Sequence, residues 1–465
     1  MKYLSTRGEA PPLGFIDTLL AGVAPDGGLY CPVAWPRLSP EAIAAFAGQP
    51  YADVAADIMG RFTGDEVPRD VLRRLCTEAY AAFDHAAVAP LAQIAPDRFL
   101  LELFHGPTLA FKDVAMQILG RLYAHVLASR GRTMTIVCAT SGDTGGAAVE
   151  AFAGQENVRI VVLFPEGRVS AVQRRFMTTS SQPNVRSVAV AGDFDDCQAI
   201  LKSLFQDRRF AAAVNLSAVN SINFARVAAQ SVYYFTAATA LGAPWRTVDF
   251  AVPTGNFGDA FAGYAARLMG LPIGRIIVAT NANDIVARAL ATGHYRRGLA
   301  VATQSPAMDI QVSSNFERLF FECAGRDPVA TAGAFRTFAA EGAVITPAGV
   351  LANMAEVFAG ERVSEAETAR TMAETPRRTG RLIDPHTAVA VAGANRARPE
   401  SSASPLVIVS TAHPAKFPEA VAAATGTSPP RPAAVVARET LPERIDRLPA
   451  SLAAVRRYVH DFAAR

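Results

Sequence analysis

The sequence predicts an α/β protein with parallel sheets wrapped by helices. Three observations carry this expectation. From about residue 133, short β-branched apolar runs alternate with stretches of helical length. The turns between them are built from Gly, Ser, Thr, Asn and Asp. The first 95 or so residues lack this alternation, being short helical patterns such as "EAIAAFAG" and "RDVLRRLCTEAYAAF" broken by Pro and Gly.

Taken in order, an N-terminal helical lobe leads to "LFHGPTLAFKDVAM", a Gly-Pro turn followed by a helix start. "MTIVCA" then precedes "TSGDTGGAAVEAF", "VRIVVLF" precedes "PEGRVSAVQRRFM", and "VRSVAV" precedes "AGDFDDCQAILKSLF". Farther on, "TVDFAV" precedes "PTGNFGDAFAGYAARLMG", and "RIIVAT" precedes "NANDIVARAL". Alternating β and α elements imply parallel strands joined by crossover helices. Residues from roughly 325 to 380 are helix-rich and polar, with "SEAETARTMAE" expected as a solvated surface helix. "RARPESSASP" is expected to be a flexible loop, and "LVIVST" one more buried strand ending at "AHPAKF".

At ~150 residues per domain, the 465 residues suggest about three structural units, and a 50 % hydrophobic content allows large buried cores. Charged residues make up 19 % and the net charge is +3, so neither nucleic acid nor an anionic membrane is indicated as partner. A small molecule is the expected partner, and no feature specifies an oligomeric state. The five cysteines are scattered without a CxxC pair, which argues against a disulfide framework or a zinc site. "MKYLSTRGEAPPLGF" has no leader-like apolar core, and no run approaches ~18 apolar residues. A reducing, cytoplasmic setting is expected.

The chemistry is sought where strands meet helices. In "ATSGDTGGAA", Gly142, Gly145 and Gly146 permit close backbone approach while Thr140, Ser141 and Thr144 supply hydroxyls. Such a turn suits a carboxylate or phosphate, or simply packs a helix on a strand. In "PTGNFGDAF", Gly255 and Gly258 bracket Asn256 and Phe257 at a helix start, whose unpaired N–H groups favour an anion. Neither the GKS/T ending of a P-loop nor GxGxxG spacing is present. "SGDTGG" has Thr144 where a trypsin-like GDSGG has its serine, and it sits on a strand-to-helix turn. His105, His386 and His413 are isolated, without HExxH spacing, and no metal is expected.

Only four of the 45 Lys and Arg residues are lysines: Lys2, Lys112, Lys202 and Lys416. Lys112 lies in an apolar run, where desolvation favours the neutral amine that attacks a carbonyl. Alone, it reads more readily as a snorkelling lysine paired with a nearby carboxylate such as Asp113. Beside a phosphate cradle and a hydroxyl-rich turn, it points to a cofactor bearing an aldehyde and a phosphate, pyridoxal 5'-phosphate.

"LELFHGPTLAFKDVAMQ", "ATSGDTGGA", "AGDFDDCQ", "NSINFAR", "PTGNFGD", "ATNANDIV", "SPAMDI", "SSNFERL" and "TAHPAKF" together resemble the threonine synthases of the longer bacterial and fungal type. The matches run in order from "APDGGLYCP" at residues 24–32 to the neighbourhood of Phe417. The resemblance implies a tryptophan-synthase β-like fold: two three-layer α/β domains with the cofactor between them, plus the N-terminal lobe. The boundaries expected are 1–95 for the lobe, 96–130 and 240–465 for a large cofactor-binding domain, and 131–239 for a smaller one.

It also implies that Lys112 carries the cofactor, that Gly255, Asn256, Phe257 and Gly258 hold its phosphate, and that Thr411 faces the pyridine nitrogen. Asp143 falls beside the phenolic oxygen, where relatives of this fold often have Asn, or acts on the proton shared with the imine. The substrate is then O-phospho-L-homoserine and the products are L-threonine and phosphate. Lys112 serves as the local acid and base. Thr140, Ser141 and Thr144 are the candidates for the substrate carboxylate, and Ser221, Asn223 and Arg226 for its phosphate, with Arg226 readable equally as a helix-surface residue. Lys416 is a further anion contact or a structural lysine. The alternatives are a phospho-lyase of the same fold that releases a 2-oxo acid and ammonia, and a non-catalytic protein that binds pyridoxal phosphate or a metabolite.

Overall fold

The computed structural model describes residues 1–217, 219–398 and 404–464. Residues 399–403 of the expected "RARPESSASP" loop therefore lie outside the described residues. Two compact units form rather than about three: residues 1–105, 221–414 and 418–429 make the larger, and residues 106–220, 415–417 and 430–465 the smaller. This division differs from the expected one. The helix Lys112–Ser129 and the C-terminal segment belong with the smaller unit, and residues 221–239 with the larger. Chain order does not reveal which sheet a helix covers, because that depends on which apolar face is left to bury.

The smaller unit is built on a five-stranded sheet in the spatial order Asp446–Pro449, Val185–Ala191, Val158–Pro165, Met134–Ala139, Leu216–Ser217, all neighbours parallel. Its first three expected strands coincide with "MTIVCA", "VRIVVLF" and "VRSVAV". These strands are buried on both faces, which accounts for their continuous apolar runs. On one side Val137, Val161, Leu163 and Val188 pack against Cys197, Ile200 and Leu204, and against Val455, Val459 and Phe462 of the terminal helix Leu452–Ala463. Two helices of this unit begin with a reciprocal side-chain cap, Ser170 with Gln173 and Asp193 with Asp196.

The larger unit contains a six-stranded sheet in the order Phe358–Arg362, Ile273–Thr280, Val248–Pro253, Leu406–Ser410, Arg98–Glu102, Leu91–Ala95, parallel except for the last edge strand. "TVDFAV", "RIIVAT" and "LVIVST" are three of its four interior strands. "FAGER" was not expected to be a strand: with one large apolar residue in five, its pairing with Ile273–Thr280 decides its conformation.

The expected N-terminal helical lobe also carries a small antiparallel sheet, Leu13–Gly14, Lys2–Ser5 and Tyr30–Pro32, beside its helices Tyr51–Thr63 and Arg69–Tyr80. "SEAETARTMAE" is helical within Glu365–Thr379, but it buries Thr368, Met372 and Thr375, so it is amphipathic rather than wholly solvated. Among the described residues no helix is long and apolar enough to cross a membrane.

Candidate active site

In the smaller unit, Lys112 is the first residue of the helix Lys112–Ser129 and only 9 % exposed. Asp113, the partner the sequence allowed, is itself bonded to Thr108. It turns back, accepting the Thr108 N–H at 2.8 Å and the Thr108 hydroxyl at 2.6 Å, and so closes the Gly-Pro turn onto the helix start. Burial pushes the Asp113 carboxyl up to about 6, against the opposing pull of the Thr108 hydrogen bonds and Lys416. Lys112 faces another carboxylate, its Nζ lying 3.5 Å from Asp143 Oδ2.

Asp143 opens the helix Asp143–Phe152, at the carboxyl end of the strand Met134–Ala139. The turn into that helix needs Gly142, whose φ is +136° and where a Cβ would lie 2.6–2.8 Å from the Gln173 amide. Gln173 Nε2 in turn donates to Asp143 Oδ1 at 3.0 Å. The Thr140 hydroxyl oxygen accepts the N–H groups of Gly142 and Gly145 at 2.9 and 3.0 Å. Its part is to shape the turn, as Ser and Thr commonly do where backbone donors are left over. Ser141 and Thr144 are half-buried, and among the described residues their hydroxyls have no hydrogen-bond partner. They and the first N–H groups of the helix remain for an anion.

Lys416, weighed as an anion contact or a structural lysine, grips the same carboxylate. Its Nζ lies 2.7 Å from Asp143 Oδ1, donates to the Thr108 carbonyl at 2.7 Å, and is 1 % exposed. Burial alone would raise the Asp143 pKa, but Lys416 and then Lys112 outweigh it and hold the carboxyl well below the usual carboxylate range. Of the four lysines, the two at this carboxylate are buried, while Lys2 and Lys202 are exposed.

In the larger unit, Val248–Pro253 and Leu406–Ser410 are neighbouring parallel strands, so the Gly255 turn and Thr411 emerge side by side at their carboxyl ends. Phe257 adopts φ +61° before the helix Gly258–Leu268, and its ring is buried while Gly255, Asn256 and Gly258 are not fully covered. A Cβ at Gly255 would come within 2.9 Å of the Ala307 carbonyl oxygen. The turn is braced from behind: the Ser313 hydroxyl donates to the Gly255 carbonyl at 2.7 Å, and the Asn315 backbone and side-chain amides donate to that of Asn256 at 3.1 and 3.0 Å. With its carbonyls held there, the turn directs its N–H side to the helix N-terminus, an arrangement that favours an anion. Thr411 is buried, yet among the described residues its hydroxyl has no hydrogen-bond partner.

The three residues expected at the substrate phosphate separate in role. Asn223 is fully buried and caps the helix Phe224–Ala240, accepting from the Ala225 N–H and donating to the Leu19 carbonyl at 2.8 Å. Both ends of its amide are thus engaged with backbone, as in a helix cap. Ser221 is half-buried and tied by its carbonyl to Asn315 Nδ2 at 3.1 Å. Arg226, in the first turn of that helix, is 4 % exposed and is not a surface residue.

Each histidine has a local setting: His105 Nε2 is 3.0 Å from Glu102, His386 pairs with Asp384, and His413 packs edge-on against Phe104. Among the described residues no group of three or more His, Cys, Asp or Glu is placed to hold a metal, and all five cysteines are buried and unbridged. Gln173, Ser313 and Asn315 were not expected at the site. "SSNFERL" was a recognisable motif, but only tertiary contact shows that its polar residues back the phosphate turn.

The comparisons with known proteins agree with the motifs. The family description "Threonine synthase N terminus" matches residues 2–80, "Pyridoxal-phosphate dependent enzyme" residues 93–357, and "Threonine synthase, C-terminal" residues 387–459. The chain is 48 % identical to a threonine synthase of Pseudomonas aeruginosa over 100 % of this chain and 99 % of the relative. A crystal structure of PLP-bound threonine synthase from Brucella melitensis superposes with a TM-score of 0.97 at 50 % identity, covering 100 % of both chains. The threonine synthase structure from yeast superposes with a TM-score of 0.94 at 36 % identity, over 100 % of this chain and 99 % of that one. The chain belongs to the threonine synthase family of pyridoxal-phosphate dependent enzymes.

Proposed function

We propose that this chain converts O-phospho-L-homoserine and water into L-threonine and inorganic phosphate, using pyridoxal 5'-phosphate. The observation that carries the reading is the buried Lys112 amine facing Asp143, together with a turn at Gly255 that packs too closely on the Ala307 backbone to admit a Cβ. The residues fit the cofactor: an amine for its aldehyde at Lys112, N–H groups at Gly255–Gly258 for its phosphate, and the uncommitted Thr411 hydroxyl for its ring nitrogen. When bound, the cofactor supplies a carbonyl that links to amines and a conjugated ring that withdraws electrons from the attached carbon.

The chain's own residues do the rest. Lys112 would hold the cofactor through its amine and, when free, would take the α-proton and a β-proton of the substrate, giving one back at the γ-carbon after phosphate leaves and one at the α-carbon after water has added at the β-carbon. Ser141, Thr144 and the helix start at Asp143 hold the substrate carboxylate. Ser221 and the buried Arg226 guanidinium take the substrate phosphate, a dianion that is costly to enclose unless a cation accompanies it. Thr411 offers a hydroxyl rather than a carboxylate, so the ring nitrogen is not forced to carry a proton.

The test is product analysis with O-phospho-L-homoserine. Threonine and phosphate in equal amounts are expected. Phosphate with 2-oxobutanoate and without threonine would overturn the reading in favour of the phospho-lyase. Reduction of the loaded protein with borohydride should place the cofactor on Lys112, and an adduct elsewhere would overturn the site.

A further inference from the structure

The Asp143 carboxylate is not shared evenly. Oδ1 receives two donors, Lys416 Nζ at 2.7 Å and Gln173 Nε2 at 3.0 Å, whereas Oδ2 is turned to Lys112 Nζ at 3.5 Å. Lys416 is itself anchored by the Thr108 carbonyl at 2.7 Å, and Thr108 by Asp113. Asp143 therefore has one oxygen fixed by neighbours and one left for Lys112. A carboxylate that belonged to Lys112 alone would hold that lysine as an ammonium, which cannot attack a carbonyl.

We propose that Lys416 is a positioning residue: it fixes the Asp143 carboxylate with Oδ2 toward Lys112 and shares its negative charge, so that Lys112 releases its proton more readily. The inference rests on the reading in which Lys112 carries the cofactor. Other charged groups of this unit have partners of their own. Asp113 is bonded to Thr108, Glu150 to Arg438, and Arg174 and Arg175 to Glu443. Two cations thus face one anion, and each substitution has a defined sign. Removing Lys416 leaves Asp143 to Lys112 and also removes a like charge, so the Lys112 ammonium is stabilised. Removing the Asp143 charge leaves two ammonium groups together, so Lys112 loses its proton sooner.

The experiment strips the full-length chain of cofactor and follows its uptake of pyridoxal 5'-phosphate against pH by imine absorbance, with borohydride reduction and peptide mapping to locate the adduct. In Lys416→Met the pH midpoint of uptake should rise by about one unit or more, as expected for an opposite charge within hydrogen-bonding reach. In Asp143→Asn it should fall, and in Lys416→Arg, which keeps the charge, it should stay closer to wild type than in Lys416→Met. Midpoints that do not move, or that move in the same direction in Lys416→Met and Asp143→Asn, would overturn the proposal. If Lys416→Met does not fold, the direction of the Asp143→Asn shift decides alone. A wild-type chain that takes up no cofactor at Lys112 would overturn the functional reading and this inference with it, whereas uptake with unmoved midpoints overturns only the inference.

Discussion

His386 Nδ1 lies 2.7 Å from Asp384 Oδ2, and the ring's other nitrogen accepts the Ala307 N–H at 3.3 Å. Because Nε2 is the acceptor, Nδ1 carries the proton and donates to Asp384. Asp384 also caps the helix Pro385–Ala397 by accepting the Thr387 N–H at 3.0 Å, and the Thr387 hydroxyl meets that of Ser410 at 3.0 Å, next to Thr411. At the far end, the Ala307 carbonyl is the group a Cβ at Gly255 would strike. The chain of contacts joins the strand end that carries Thr411 to the segment behind the phosphate turn.

Replacing His386 with Ala removes one partner from the buried Asp384 and one from the half-buried Ala307 N–H. A destabilisation of about 2–3 kcal/mol is expected, read from the midpoint of denaturant unfolding. His386→Gln, which can still place an acceptor toward Ala307, should recover part of that loss.

Gly255→Ala should leave the fold in place but weaken cofactor binding. Its Cβ would meet backbone atoms, the Ala307 oxygen at 2.9 Å and Met308 Cα at 3.2 Å, so the turn itself must move. A loss of roughly tenfold or more in affinity, equivalent to about 1.4 kcal/mol, is expected in a titration of the stripped protein with pyridoxal 5'-phosphate.

Gly142→Ala places a side chain at φ +136° and against the Gln173 amide, which is one of the donors holding Asp143 Oδ1. Displacing Gln173 loosens the carboxylate opposite Lys112. Turnover should fall on the order of a hundredfold, as a displacement of about 1 Å in a catalytic geometry does, with a smaller change in KM.

Asp259 provides a pH test outside the Lys112 cluster. It is buried and accepts the hydroxyls of Tyr233 and of Tyr234, the latter at 2.8 Å. Burial pushes its carboxyl up to about 6 despite those two hydrogen bonds. A carboxyl whose folded pKa exceeds its unfolded value holds its proton longer in the folded protein, so stability is lost as pH rises from about 4 to about 6. Asp259→Asn does not titrate. Relative to wild type it should therefore gain as pH rises through that window, by about 2–3 kcal/mol in all, measured by unfolding at pH 4 and pH 7. A difference that stays constant, or that changes with the opposite sign, would sink the assignment.

Much of the fold is legible along the chain because buried parallel strands must be continuous apolar runs. "MTIVCA", "VRIVVLF", "TVDFAV" and "LVIVST" can be read directly as such strands. "FAGER" and the strands of the N-terminal lobe could not, because their conformation is set by pairing with neighbours remote in sequence. The same limit explains the site. Lys112 stands out as one of four lysines, and the glycine turns stand out by their punctuation. Thr140 and Asn223 have the right chemistry for ligands, and only the folded chain shows the backbone bonds they also make.

Local residue patterns suffice for the alternation of strands and helices, the lysine in its apolar run, the two glycine turns and the family resemblance. Tertiary structure decided that Lys112 faces Asp143, while its neighbour Asp113 bonds to Thr108. It also brought Lys416, 304 positions along the chain from Lys112, to the same carboxylate. The physical reason is burial: an enclosed charge must find a partner, and which partner lies within reach is settled only when the elements pack.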